Sequence, residues 1–278
     1  MHVLSAFALA GLALCSPALG GETPWQEVAP GVSIRLISAG KVAADRTALL
    51  ALEIDMPAGT KTYWRVPGET GLAADFDLSG SRGVQGYEVL WPHPLREEKA
   101  GYLDYVYYGH VVLPIEVDVG DVAGAVDVLA TLGICSEICV PAQARFALPL
   151  VDAQPDMPNE LRIRQAVADV PMAWNEGEAP LGGVSLAADG AAIAVELAGA
   201  GVDLASLVAA TANGEYLFGT PQKSPQGSLV VLPILGKTDN SALEGMEVEL
   251  TFMTDMGAFS INRTVESGHL ANVAVQGR

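Results

Sequence analysis

Short runs in which apolar and polar residues alternate, each bounded by Gly, Pro or Asp, recur along most of this chain. A period of two dictates half-buried strands rather than helices. Val32, Ile34 and Leu36 alternate with Ser33 and Arg35, and Leu50, Leu52, Ile54 and Met56 with Ala51, Glu53 and Asp55. Val111, Leu113, Ile115, Val117 and Val119 share a face opposite Glu116 and Asp118, and Tyr87, Val89 and Trp91 form a shorter run. Val126, Val128, Ala130, Leu132 and Ile134 lead into Cys135, while Ala142, Ala144, Phe146 and Leu148 lead away from Cys139. The two cysteines are therefore expected at the tip of a strand-turn-strand.

The pattern breaks after Leu150. Val151-Asp-Ala-Gln-Pro-Asp-Met-Pro158 reads as a linker, and Asn159 is expected to cap a short helix from Glu160 to about Asp169, stopped by Val170-Pro171. A second alternating series follows: Ile193, Val195 and Leu197; Tyr216 and Phe218; Leu229, Val231 and Pro233; Met246, Val248, Leu250 and Phe252. Closely spaced strands without long crossover segments favour antiparallel sandwiches over a parallel sheet with helices. The expected fold is all-β, with two β-sandwich domains at 21–150 and 181–278 joined by a linker over 151–180 that contains the short helix.

Residues 3–14 form an apolar run too short to cross a bilayer, followed by small residues at Ala18 and Gly20. This reads as a secretory signal over 1–20, although the first Lys or Arg is Arg35. Leu14 before Cys15 argues against a lipid anchor. No later run is long enough for a membrane helix, so the exported chain is expected to have no membrane span. Its 33 acidic and 15 basic residues leave a formal charge of -18, which repels phosphate backbones and anionic headgroups and argues against nucleic-acid or membrane-surface partners.

Outside the cytoplasm disulfides persist, and past the signal the chain has only Cys135 and Cys139. Extended residues four apart would lie about 13 Å from each other, beyond the roughly 7 Å Cα limit of a disulfide, so a bridge requires a tight turn. As a structural staple it would contribute only about 2 kcal/mol, because the loop is short. A redox pair gains more from this spacing, since the thiols stay adjacent after reduction and the bridge re-forms in one intramolecular step. Metal binding through both thiols is a third reading. Glu137 lies between the cysteines and no Lys, Arg or His is nearer in sequence than Arg145, so local charge disfavours thiolate formation.

Four segments in order, Thr62-Tyr-Trp-Arg-Val-Pro-Gly-Glu-Thr-Gly-Leu72, Trp91-Pro-His-Pro-Leu-Arg96, Tyr107-Tyr-Gly-His-Val-Val-Leu-Pro-Ile115 and Cys135-Ser-Glu-Ile-Cys-Val-Pro141, resemble the N-terminal domain of the thiol:disulfide interchange family DsbD, and most closely the longer form in ScsB-type reductases. The resemblance covers about 25–150 well and the rest loosely, as a second extracytoplasmic domain. It implies immunoglobulin-like sandwiches in the periplasm, Cys135 and Cys139 as the active site, and Cys139 as the cysteine that engages partners. The implied partners are a separate membrane thiol donor and periplasmic thioredoxin-like or disulfide-bearing proteins, with no cofactor. A cap loop bearing an aromatic covers the pair in that family. Tyr102, Tyr105, Tyr107 and Tyr108 are candidates for it, and Glu137 is a candidate modulator.

Two rival functions stay open. One is a non-catalytic protein-binding module with a structural disulfide. The other is a copper-handling protein, for which thiolates, His93, His110, His269, Met56, Met246, Met253 and Met256 offer donors, although the His and Met residues have no ligand-like spacing. Met253 and Met256 are expected to flank a loop around Asp255.

Overall fold

The computed structural model describes residues 21–152, 154–199, 201–224 and 227–267; the expected signal at 1–20, Cys15 and His269 lie outside them. Eleven strands build the first domain: β1 (Gln26–Ala29), β2 (Val32–Val42), β3 (Thr47–Asp55), β4 (Lys61–Gly68), β5 (Asp75–Asp77), β6 (Val84–Val89), β7 (Leu95–Lys99), β8 (Tyr102–Tyr108), β9 (Val111–Val119), β10 (Ala125–Cys135) and β11 (Cys139–Pro149). One sheet runs β1-β2-β3-β9-β6 and the other β11-β10-β4-β8-β7, with β5 on β10. The alternating residues of β2, β3 and β9 meet those of β10 and β11 in one sandwich core. Burying these faces between two sheets is what makes a period-two sequence stable.

β4 escaped the alternation because it is central. Thr62, Tyr63 and Trp64 are all buried, one after the next, so the strand shows no polar face. A strand covered on both sides carries no period of two.

The helix α1 spans Met157–Ala168, ahead of the expected start at Glu160. Its N-cap is Asp156, not Asn159: Asp156 Oδ1 accepts from the Asn159 N–H at 3.0 Å, and Pro158 occupies the first turn. Asn159 is buried instead, donating through Nδ2 to Asp156 Oδ2 at 2.9 Å and Glu22 Oε2 at 3.2 Å. Helix α1 lays Ile163 against Ile37 and Ala51, on the face of the first sheet that points away from the sandwich core.

The second domain is a nine-stranded sheet between Met172 and Glu266. Gly257–Glu266 pairs antiparallel with Glu247–Thr254 and parallel with Leu181–Leu186, so the sheet closes into a barrel-like sandwich around Phe218, Leu232, Leu250 and Phe252. Gly257–Glu266 also pairs parallel with Met172–Ala173, so a mainly antiparallel sandwich carries parallel pairing where the last strand returns beside the first. Met253 and Met256 lie on either side of Asp255 at the hairpin that joins the last two strands.

The domains share apolar and polar contacts. Val208 and Ala210 join the first core, Arg96 Nη1 donates to Ala205 O at 2.6 Å, and Arg65 Nη2 lies 3.3 Å from Glu249 Oε2.

Candidate functional site

β10 and β11 form a hairpin in continuous register from Ala125 opposite Pro149 to Cys135 opposite Cys139, with Ser136, Glu137 and Ile138 as its tip. The turn brings the two Cα atoms to 4.1 Å and the cysteines are joined as a disulfide. The two ends of that bond differ. Cys135 is 2 % exposed, whereas Cys139 is exposed beside Ile138, itself 75 % exposed. A sulfur nucleophile arriving from solvent therefore meets Cys139 first.

Beneath the bridge lies Tyr63 of β4. Its hydroxyl donates to Cys135 Sγ at 2.7 Å and stands 3.6 Å from Cys139 Sγ. Burial raises the Tyr63 phenol above its ordinary pKa, and the Asp104 and Glu97 carboxylates add to that against the pull of Lys61. Tyr63 thus keeps its proton across the neutral range and remains a donor. The segment after β4 folds over this ring: a Cβ on Gly71 would collide with the Tyr63 ring, and one on Gly133 would meet Leu72 at 2.9 Å and Tyr63 at 3.0 Å. Glycine at both positions lets loop, ring and hairpin approach closely.

Lys61 pairs with Cys135 across the sheet, so a cation borders the cysteines after all. The sequence placed Arg145 as the nearest basic residue because β4 is distant along the chain. Lys61 is not a free charge, however. Its Nζ bonds Asp104 Oδ2 at 2.9 Å and also Glu97, and sits 5.4 Å from the centre of the Tyr63 ring. Burial opposes its charge, but the hydrogen bonds to Glu97 and Asp104 outweigh that and raise its pKa. Asp104 is anchored in turn by the Thr70 hydroxyl at 2.6 Å and the Thr70 N–H at 3.0 Å, which ties the loop over Tyr63 to the ion cluster.

The candidate tyrosines divide. Tyr105 is fully buried and donates to Phe218 O at 3.0 Å, in the other domain. Tyr107 is buried and donates to Pro92 O at 2.7 Å. Their side chains fill the core of β8, so neither covers the disulfide. Tyr102 is exposed opposite Lys99. Tyr108 pairs with Lys61 and donates to Glu97, which together with burial pushes its pKa up to about 12. Among the described residues the aromatic that touches the cysteines is Tyr63, which in the sequence stands out only as part of the Thr62–Leu72 segment. Glu137 lies exposed at the hairpin tip.

Of the histidines offered as copper donors, His93 and His110 are engaged elsewhere. His93 Nε2 donates to Ser206 O at 3.0 Å and His110 Nε2 lies 2.8 Å from Glu53 Oε1. Among the described residues no group of three or more His, Cys, Asp and Glu is arranged to hold a metal ion. A cleft of about 580 Å³ between the domains is lined by His93, Arg96, Ser206 and Met253, and one of about 400 Å³ by Tyr108, His110 and Arg162; neither reaches Cys135 or Cys139. No described helix is long and apolar enough to cross a membrane.

Residues 35–150 match the family described as thiol:disulfide interchange protein DsbD, N-terminal. A search of curated proteins returns no match. Among solved structures, the N-terminal periplasmic domain of ScsB from Proteus mirabilis aligns over 89 % of this chain and 99 % of that one, with a TM-score of 0.71 and 22 % identity. Titin Ig tandem domains A164-A165 align over 81 % of this chain and 89 % of that one at 10 % identity, but a TM-score of 0.18 carries no weight. Residues 35–150, which carry the disulfide hairpin and Tyr63, thus match the DsbD N-terminal family model, within a chain that has the fold of the ScsB periplasmic domain.

Proposed function

We propose that this protein is a periplasmic thiol-disulfide carrier that works through Cys135 and Cys139. The observation that carries the reading is the asymmetry of the bridge: an exposed Cys139 open to attack, and a buried Cys135 whose sulfur already accepts a hydrogen bond from Tyr63. A partner thiolate attacks Cys139 Sγ, the Cys135–Cys139 bond breaks, and Cys135 leaves with the electron pair as a thiolate. Tyr63 stabilises that thiolate where it forms. A second thiolate of the partner then attacks the partner's own sulfur in the mixed disulfide, releasing Cys139 as a thiolate and the partner as a disulfide. The reduced pair passes both electrons on by the reverse sequence to an oxidised protein.

In this scheme the donor is a membrane thiol carrier and the acceptors are periplasmic thioredoxin-like or disulfide-bearing proteins. Glu137 adds a solvent-screened negative charge at the tip, and the Lys61 cation is offset by Asp104 and Glu97, so reactivity rests on the Tyr63 hydrogen bond more than on net charge. Equilibration in mixtures of reduced and oxidised dithiothreitol and glutathione tests the reading. A carrier titrates between the two forms in the range of periplasmic partners, whereas a bridge that resists reduction throughout is a staple. Cys135→Ser should trap partners on Cys139 as mixed disulfides in non-reducing gels, and trapping by Cys139→Ser alone would reverse the order of attack.

A further inference from the structure

Strand β11, which begins at Cys139, is the outermost strand of its sheet. Along an antiparallel ladder the N–H and C=O of each residue point together, alternately at the neighbouring strand and away from it. The Leu150 N–H donates to Gly124 O at 3.2 Å across the open end of the hairpin, so even-numbered residues of β11 face β10. The unbroken register carries this phase to the tip. Ala125 exchanges both of its bonds with Arg82, on the far side of β10, and Arg145 O accepts from Gln26 Nε2 at 3.0 Å on the outer side of β11. The 4.1 Å Cα separation of Cys135 and Cys139 is that of a non-hydrogen-bonded pair. Pro141 and Pro149 sit at outward positions, where a missing N–H costs no ladder bond.

The groups turned outward are therefore Cys139 N–H and C=O, Pro141 C=O, and Gln143 N–H and C=O. Their side chains lie on the exposed face, as Cys139 does, while Ala142 and Ala144 face the core. β1 meets the edge at Arg145 through Gln26, and among the described residues no bond to the backbone edge from Cys139 to Gln143 is seen. Exposed Ile138 and Val140 flank this stretch.

We propose that a redox partner docks by adding a short extended segment, the residues flanking its reactive cysteine, to the edge of β11 between Cys139 and Gln143. The inference rests on the thiol-disulfide reading above. Main-chain hydrogen bonds then hold the partner's sulfur against Cys139 Sγ. Recognition through backbone groups is tolerant of sequence, which suits a carrier that must accept both a donor and an acceptor. Pro141 removes one donor from the row, so the added ladder stays short and the edge resists pairing with a second copy of itself.

The test uses two blocked peptides, Ac-Thr-Cys-Val-Thr-NH2 and the same peptide N-methylated at both cysteine and valine, so that a ladder bond is lost in either strand direction, with dithiothreitol as a thiol that has no backbone to pair. Rates of opening of the Cys135–Cys139 bridge are measured for each. The unmodified peptide is expected to react about tenfold faster than its N-methylated form, and Gln143→Pro to bring that ratio toward one. In the mixed disulfide of Cys139 with the unmodified peptide, made by letting Cys135→Ser displace 2-thiopyridone from the peptide's 2-pyridyl disulfide, the Gln143 amide should exchange with deuterium at least tenfold more slowly than in the free protein, a readout that needs no proline. Equal rates for the two peptides together with an unprotected Gln143 amide would overturn edge docking. Failure of all three thiols to open the bridge would instead overturn the thiol-disulfide reading, and the docking proposal with it.

Discussion

Tyr63 and Cys135 are 72 positions apart in the chain, yet one hydroxyl-to-sulfur contact at 2.7 Å makes the two ends of the disulfide chemically unequal. Hydrogen bonds to charged groups contribute about 1.5–3 kcal/mol, and about 1.4 kcal/mol is a factor of ten in rate. Tyr63→Phe keeps the ring under the bridge and removes only the donor. It is expected to slow opening by dithiothreitol about tenfold, measured by stopped-flow fluorescence, without changing the thermal midpoint by more than a few degrees. Because the phenol pKa is raised, the ratio of wild-type to variant rates should stay constant from pH 6 to pH 9. A ratio of one would remove Tyr63 from the mechanism. Cys135→Ser and Cys139→Ser should both remain folded, since the short loop contributes no more than about 2 kcal/mol; unfolding of either at room temperature would make the bridge structural.

Sheets here are tied together by charge as well as by the core. Glu53 on β3 is 3 % exposed and binds Arg35 Nε of β2 at 2.5 Å and His110 Nε2, just before β9, at 2.8 Å. Burial works to raise its pKa, but the hydrogen bonds from Arg35 and His110 outweigh that and lower it. A carboxylate whose folded pKa lies below its unfolded value stabilises the fold at any pH above the unfolded value, about 4.3, and loses that contribution as pH falls through the folded value. Asp104, likewise lowered, acts with the same sign. Urea midpoints should therefore change little with the titration of these two groups between pH 5 and pH 7 and should fall below about pH 4. Glu53→Gln should cost on the order of 3 kcal/mol at pH 7, because it strands part of the buried Arg35 charge, and should flatten the acid limb of the curve. An unchanged acid limb would assign that transition to other carboxylates.

At the scale of the whole molecule, the first sandwich is covered from two sides by later sequence. Helix α1 shields Ile37 and Ala51, and Val208 and Ala210 of the second domain complete the first core. We propose that the first unit closes after about Asp169 rather than at Leu150. A chain of residues 21–169 should melt higher than one of 21–150, since burial of Ile163 alone contributes about 2–3 kcal/mol. Differential scanning fluorimetry of the two decides it, and equal midpoints would put the boundary back at Leu150. The contact between domains should also respond to acid. Burial lowers the pKa of His93, whose Nε2 donates to Ser206 O. Its contribution is present above the unfolded value of about 6.5 and is lost as pH falls toward the folded one. Amide exchange at Ser206 and Leu207 should quicken between pH 7.5 and pH 5 relative to intrinsic rates, and His93→Gln should remove that difference.

Local pattern and local spacing were enough to place most of the fold. Alternation is a property of consecutive residues, so β2, β3, β9, β10 and β11 could be read from it, as could the cysteine hairpin, whose two halves differ only in direction. The same logic failed at β4, where burial on both sides erased the alternation, and at the cap of α1, where Asp156 and Asn159 offer similar side chains and only the fit of Asn159 against Glu22 separates them. Tertiary structure alone decided the site: Tyr63 beneath the bridge, Lys61 beside Cys135 but held by Asp104 and Glu97, Tyr105 turned to Phe218 in the other domain, and the outward phase of the backbone at Cys139. Those facts depend on which strands become neighbours in a sheet, and strand order is set by the packing of the whole sandwich, which no run of adjacent residues encodes.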